Sequence, residues 1–206
     1  KGENIKQEKS ILDMFQLHIL KQEKLIGIST TKVSLAKFHQ TETHVKTFIK
    51  HQYKKSDFLL KDMTMAFINE FEYYLKAEKL FKQNTIHKTL QRFKHIVKVA
   101  VGLDYLAKDP FVLYKHKKPK NVFIFFSTEV LQLLKKHNFA SSRLQQVADM
   151  FIFCCYTGLG YTEMASLNKS NFHQEVDGNV WIKVYRQKTN RNYEIPLLSK
   201  AQSILD

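Results

Sequence analysis

"YTGLGYTEMASLNKSNF", residues 156–172, places two glycines around one leucine in a chain with 6 glycines among 206 residues. Just upstream, "SSRLQQVADMFIFCC" (141–155) has a helical pattern and turns almost wholly apolar toward its end, so that end is predicted to be buried. Gly158 stops this helix, because a glycine just past the last periodic residue takes the left-handed conformation at little cost. Glu163 and Leu167 follow Gly160 at helical spacing, so a second, short helix begins at once. Further on, the period changes from helical to alternating. "NVWIKVYRQKTNRNYEIPL" (179–197) reads as two strands, about 180–186 and 192–197, around a polar turn, with Asp177-Gly178 as an earlier turn. "SKAQSILD" starts another helix. A lone hairpin is marginal in water, so this region reads as part of something larger. With "FFSTEVLQLLKKHNF" (125–139), a helix capped by Ser127, these features predict an α+β region over 122–206.

Everything before Pro110 is helical in pattern. "ILDMFQLHIL" (11–20) is amphipathic. "TKVSLAKFHQTETHVKTFIKHQ" (31–52) sets Val33, Phe38, Val45 and Phe48 among lysines, with Thr30 or Thr31 as its start. "DMTMAFINEFEYYLKAEK" (62–79) puts Met63, Phe67, Phe71, Tyr74 and Leu75 on one face. Its Glu70, Glu72 and Glu78 make the other face a poor match for phosphates. "NTIHKTLQRFKHIVKVAVG" (84–102) is predicted to start at the N-cap Asn84 and end near Gly102. There Ile86, Leu90, Phe93, Val97 and Ala100 form a narrow apolar stripe. Its other side carries Lys88, Gln91, Arg92, His95 and Lys98. Cations bind phosphate oxygens, and Arg, Gln or His can reach base edges, so such a face suits a nucleic-acid groove; an ordinary solvated face has the same composition. Four helices with short connections predict a helical domain over 1–109. A basic linker follows over 110–121, with Lys115, Lys117, Lys118 and Lys120 around Pro119. It suits either a phosphate-tracking segment or a solvated tether.

Charge separates the two halves. The net charge is +14. Residues 1–120 hold 24 Lys and Arg against 12 Asp and Glu, whereas residues 121–206 hold 9 against 7. An excess so localised points to a polyanionic partner, although a lysine-rich solubilising surface also raises net charge. No run approaches the ~18 apolar residues of a membrane span, and the N-terminus lacks the apolar region of a signal peptide. The two cysteines, 154 and 155, are adjacent, which suits neither a disulfide framework nor a metal site. A cytoplasmic protein with no metal and no membrane partner is therefore expected.

Taken in order, a basic four-helix domain, a linker, "YTGLGYTEMASL" and then "KTNRNYEIPL" (188–197) resemble the tyrosine recombinase (phage integrase) family, of the type found in conjugative transposons. The resemblance covers nearly the whole chain. It implies a mainly α fold with a small β-hairpin or sheet. Residues 1–109 would be a SAM-like core-binding domain and 122–206 the first part of an α+β catalytic domain. The implied chemistry is site-specific DNA cleavage and rejoining through a phosphotyrosyl link, with no cofactor. The implied partners are double-stranded DNA and other recombinase protomers in a synaptic complex, in the bacterial nucleoid.

Position by position, the resemblance makes Lys188 the hairpin lysine that protonates the leaving hydroxyl, and Glu163 the acidic residue supporting the site. Gly160 occupies the place of the family's first catalytic arginine, and a glycine there offers only a backbone amide to a phosphate. The nearest upstream arginine is Arg143. The family's His-x-x-Arg box and nucleophilic tyrosine are expected beyond Asp206, so Tyr193, inside the hairpin, is not the nucleophile. The expected function is the DNA-binding portion of a site-specific recombinase. The alternatives are a degenerate, non-catalytic integrase-like DNA-binding protein and a basic helical interaction module that never touches DNA.

Overall fold

A computed structural model of the chain describes residues 8–115, 124–176, 178–186 and 191–205. It divides into two compact units, Lys1–Asn121 and Val122–Asp206.

The first unit is built from α1 (Ile11–Glu23), α2 (Lys32–Tyr53), α3 (Met65–Ala77) and α4 (Gln83–Gly102). Their starts follow local chemistry. Ser10 caps α1 in a reciprocal box with Asp13, and the Thr31 hydroxyl accepts from the Ser34 amide at the head of α2. Asn84, expected to cap α4, instead lies inside it. The helix begins at Gln83 after Lys82, with no side-chain cap, so the sequence signal misplaced this start by two residues.

The core explains the helical pattern. Phe15, Phe48, Phe67, Phe71, Phe93 and Phe111 are all fully buried. Phe93 sits at the centre, stacked on Phe15 at 6.0 Å and edge-on to Phe71 and Phe111 at 5.7 and 5.6 Å. All five predicted stripe residues of α4 are buried. So are His87, Thr89 and Ile96, because α4 packs against α1, α2 and α3 and needs more than a narrow stripe. Phe67, Phe71, Tyr74 and Leu75 are buried on α3, whereas Met63, expected on the same helix, is buried just before it in extended backbone after the turn Leu60–Asp62. In α2 the expected Val33 is 72% exposed and Leu35 takes its place in the core; two apolar residues two positions apart cannot both face one side. Glu70 and Glu72 are not simply solvated. They accept hydrogen bonds from the Tyr53 and Tyr114 hydroxyls, pinning the ends of α2 and of the post-α4 segment to α3.

The second unit contains α5 (Thr128–Lys136), α6 (Ser142–Thr157), α7 (Tyr161–Ala165), β1 (Phe172–Gln174), β2 (Val180–Arg186), β3 (Arg191–Pro196) and α8 (Ser199–Gln202). Ser127 caps α5 as expected. The hairpin is not alone. The short β1 pairs antiparallel with β2, giving a three-stranded sheet in the order β1-β2-β3. Three residues are too few to show alternation, so β1 had no period to read. One face of the sheet carries Ile182 and Val184, buried beneath α6 residue Phe153 together with Leu159 and Ala201. Tyr193 and Ile195 stand opposite Val184 and Ile182 on that same face.

Candidate nucleic-acid interface

The outward side of α4 carries the predicted residues. Lys88, Gln91, His95 and Lys98 are exposed and Arg92 is half-buried. The structure divides them. Lys88 and Arg92 line a groove between α2 and α4, of about 270 Å³, together with Lys37, Gln40, His44, Asn84, Thr85 and Thr89. Among the described residues no carboxylate lines this groove. Arg92 is braced by a hydrogen bond from Nη1 to the Lys88 carbonyl at 3.3 Å, and its burial makes the guanidinium charge less favourable than in water. His44 is pushed below the ordinary imidazole value, first by burial and then by the Lys79 charge, so it is a neutral donor or acceptor near pH 7.

His95 lies at the other side of the helix face. Its ring stands edge-on to buried His18 at 5.0 Å and near Phe38 at 5.9 Å. Burial, then the charges of His95 and Lys21, hold the His18 imidazole down at about 4. Lys94, also on α4, points its ammonium to the Phe111 carbonyl at 3.5 Å and is not offered outward.

Lys37, Gln40 and His44 were missed by sequence reading. Their spacing of three and four residues on α2 was the available signal, since it places them on one helix side. Lys115 is exposed. Lys117, Lys118 and Lys120 lie outside the described residues.

In the second unit the TGL break is resolved atom by atom. Thr157 is buried; its hydroxyl donates to the Phe153 carbonyl at 2.8 Å and accepts from the Leu159 amide at 3.4 Å. Gly158 has φ 71°, the left-handed conformation, and its amide bonds to the Cys154 carbonyl. Leu159 drops into the core beside Phe153. Gly160 is different. Its φ of −75° is open to any residue, and it precedes α7, whose five residues make little more than one turn.

The space above Gly160 is taken by Glu163. A Cβ added at residue 160 would lie 2.5 Å from the Glu163 Oε2 atom. The other carboxylate oxygen stands 3.9 Å from Arg186 Nε, at the end of β2. The Tyr193 phenol is pushed up by burial and by the Glu163 charge, against a smaller opposing pull from Arg186, so it stays protonated. Lys188 lies outside the described residues. Arg143 is in the first turn of α6, about 20 Å along the helix from the TGL break.

Among the described residues one group has metal-ligand chemistry, His173 with Glu175 and Glu194, on the sheet. Lys183 pairs with Glu194 at 3.4 Å and competes for that carboxylate. No helix among the described residues is long and apolar enough to cross a membrane.

The model for the phage integrase SAM-like domain matches residues 10–118. No curated protein matches the chain. Several solved structures share its fold. The integrase of the Tn1549 transposon, in complex with a circular intermediate DNA, superposes with a TM-score of 0.71 at 13% identity, covering 95% of this chain and 63% of that one. A lambda integrase tetramer bound to a Holliday junction gives a TM-score of 0.72 at 12% identity over 96% of this chain and 56% of that one. A lambda integrase dimer bound to a core site gives 0.72 at 13% identity, over 97% and 54%. The chain thus spans less than two thirds of the length of each.

Proposed function

Because this chain belongs to the phage integrase (tyrosine recombinase) family, we propose that it binds double-stranded DNA as part of a site-specific recombinase. The observation that carries this reading is the groove between α2 and α4, where Lys37, Lys88 and Arg92 converge with amide, hydroxyl and imidazole donors and, among the described residues, no carboxylate lines the wall. Lysine and arginine neutralise backbone phosphates and release their counterions, while Arg92 and Gln91 have the donor geometry to read base edges. His95 and Lys98 continue the same helix face. The DNA complexes of the Tn1549 and lambda integrases support the assignment of a DNA partner. The lambda tetramer supports a further one, other protomers in a synaptic complex.

The second unit then belongs to the reacting end of the recombinase. Strand exchange needs cations at the non-bridging phosphate oxygens, a proton donor for the leaving hydroxyl and an in-line nucleophile. Lys188 is the proton donor in this reading, and Glu163 positions neighbouring cations. Tyr193 is not the nucleophile in this reading, since it sits within β3 opposite Val184 and packs against the core of the second unit. A binding-only protein of the same family is the second reading, and Gly160 in place of a phosphate-holding arginine favours it.

Duplex affinity measured by fluorescence anisotropy across a salt series tests the DNA assignment. Binding should weaken steeply with salt, and Lys88→Ala with Arg92→Ala together should lower the log–log slope by about two. A chain that binds acidic polypeptides and duplex DNA equally, with unchanged slope in the double variant, contradicts it.

A further inference from the structure

We propose that Arg186 supplies the phosphate-holding cation that residue 160 does not carry, with Arg191 beside it and Glu163 orienting it. This inference rests on the recombinase reading above and deepens it, naming the residue that contacts the DNA phosphodiester in the second unit.

Gly160 does not need to be glycine for backbone reasons, since its φ of −75° is ordinary. What distinguishes the position is the carboxylate above it. Glu163 folds back so that its Oε2 fills the place a side chain at 160 would start from. The Glu163 side chain is only 13% exposed, so its carboxylate is largely withdrawn from solvent. A carboxylate held in that place marks where a cation is wanted, and Arg186 answers it from β2 with Nε at 3.9 Å. That distance is too long for a hydrogen bond. The Arg186 side chain is 58% exposed. Glu163 therefore directs the guanidinium without hydrogen-bonding to it, which leaves its donors toward Glu163 available to an incoming anion.

The sheet register adds a second, independent observation. Arg186 and Arg191 are direct partners across β2 and β3. Directly opposed side chains lie on one face of the sheet, and like charges so placed repel. Among the described residues Glu163 is the one acid paired to Arg186. Two guanidinium groups against one carboxylate leave a surplus positive charge on the face that also holds Tyr193 and, at the core, Val184. Arginine is suited to this task, because its planar donors match phosphate oxygens in pairs. Arg143, the other arginine of this unit considered from sequence, is a helix length away.

The test uses the chain itself and a duplex DNA probe, read by anisotropy between 50 and 250 mM salt, both taken as ordinary low- to moderate-salt conditions of roughly that range. Arg186→Ala should weaken binding about threefold to tenfold at the lower salt and reduce the log–log slope by about one. Gly160→Arg combined with Arg186→Ala should restore both, because residue 160 then delivers a guanidinium to the same phosphate once the flexible Glu163 end swings aside. Arg186→Lys should keep the slope while losing part of the affinity, since a point charge cannot make the paired contact. Thermal melts check that the variants stay folded. If Arg186→Ala matches the parent in affinity and slope while the Lys88/Arg92 variant is weakened, Arg186 is no phosphate ligand and the DNA-binding reading still stands. If Arg186→Ala weakens binding but Gly160→Arg restores nothing, the shared position is refuted. If the parent chain shows no salt-dependent duplex binding, both readings fall together.

Discussion

Gly158 and Gly160 stand two residues apart and are glycine for unrelated reasons. Gly158 holds φ 71° to end α6, so Gly158→Ala should destabilise the second unit by about 1 kcal/mol, measured by urea unfolding. Gly160→Ala should cost little, because its backbone is ordinary and the obstruction among the described residues is the movable end of Glu163. A large loss at 160 and none at 158 would reverse this assignment. The helix-ending role of Gly158 was legible in the sequence, but the Glu163 carboxylate filling the space at Gly160 was not, since a side chain folding back three residues leaves no mark in the letters. His18 gives a pH-dependent case. Its folded-state pKa, about 4, lies below the unfolded value of 6.5, so the fold favours the neutral ring. That stabilisation is complete above about pH 6.5 and is lost as pH falls toward 4, because the unfolded chain binds the proton first. Near pH 5 the loss should reach about 2 kcal/mol relative to pH 7. His18→Leu should remove this part of the pH dependence of the thermal midpoint, and an unchanged profile would contradict the burial argument.

At the level of elements, α4 is where sequence and structure agree most. Its stripe of Ile86, Leu90, Phe93, Val97 and Ala100 repeats because one side of the helix must meet the core. Phe93 touches aromatic rings from α1, α3 and the segment after α4, so Phe93→Ala should cost about 3–5 kcal/mol by denaturant unfolding. A loss below 1 kcal/mol would mean the site collapses and the ring is not central. The outer face was legible as a set of residue types, but not as a groove. That needed the crossing of α2 beside α4, which brings Lys37, Gln40 and His44 next to Lys88 and Arg92. Contacts between elements far apart in sequence leave no period to read. The same reason hid the pairing of Glu163 with Arg186, and the brevity of β1 hid the third strand.

Across the whole molecule, the charge excess lies mostly in residues 1–120, and this localisation was plain in the sequence. It sets an expectation for the two compact units: separately expressed 1–120 should bind duplex DNA more tightly than 122–206 at moderate salt. Stronger binding by the second piece would place the main interface elsewhere. The central claim is narrower, that DNA lies along the α2–α4 groove. Backbone amide NMR of the labelled chain, titrated with duplex DNA, tests it most directly. The account predicts shift changes concentrated at Lys37, Gln40, His44, Lys88 and Arg92, with the Glu70, Glu72 and Glu78 side of α3 undisturbed. Changes concentrated on that α3 side, with the groove residues unmoved, would contradict it.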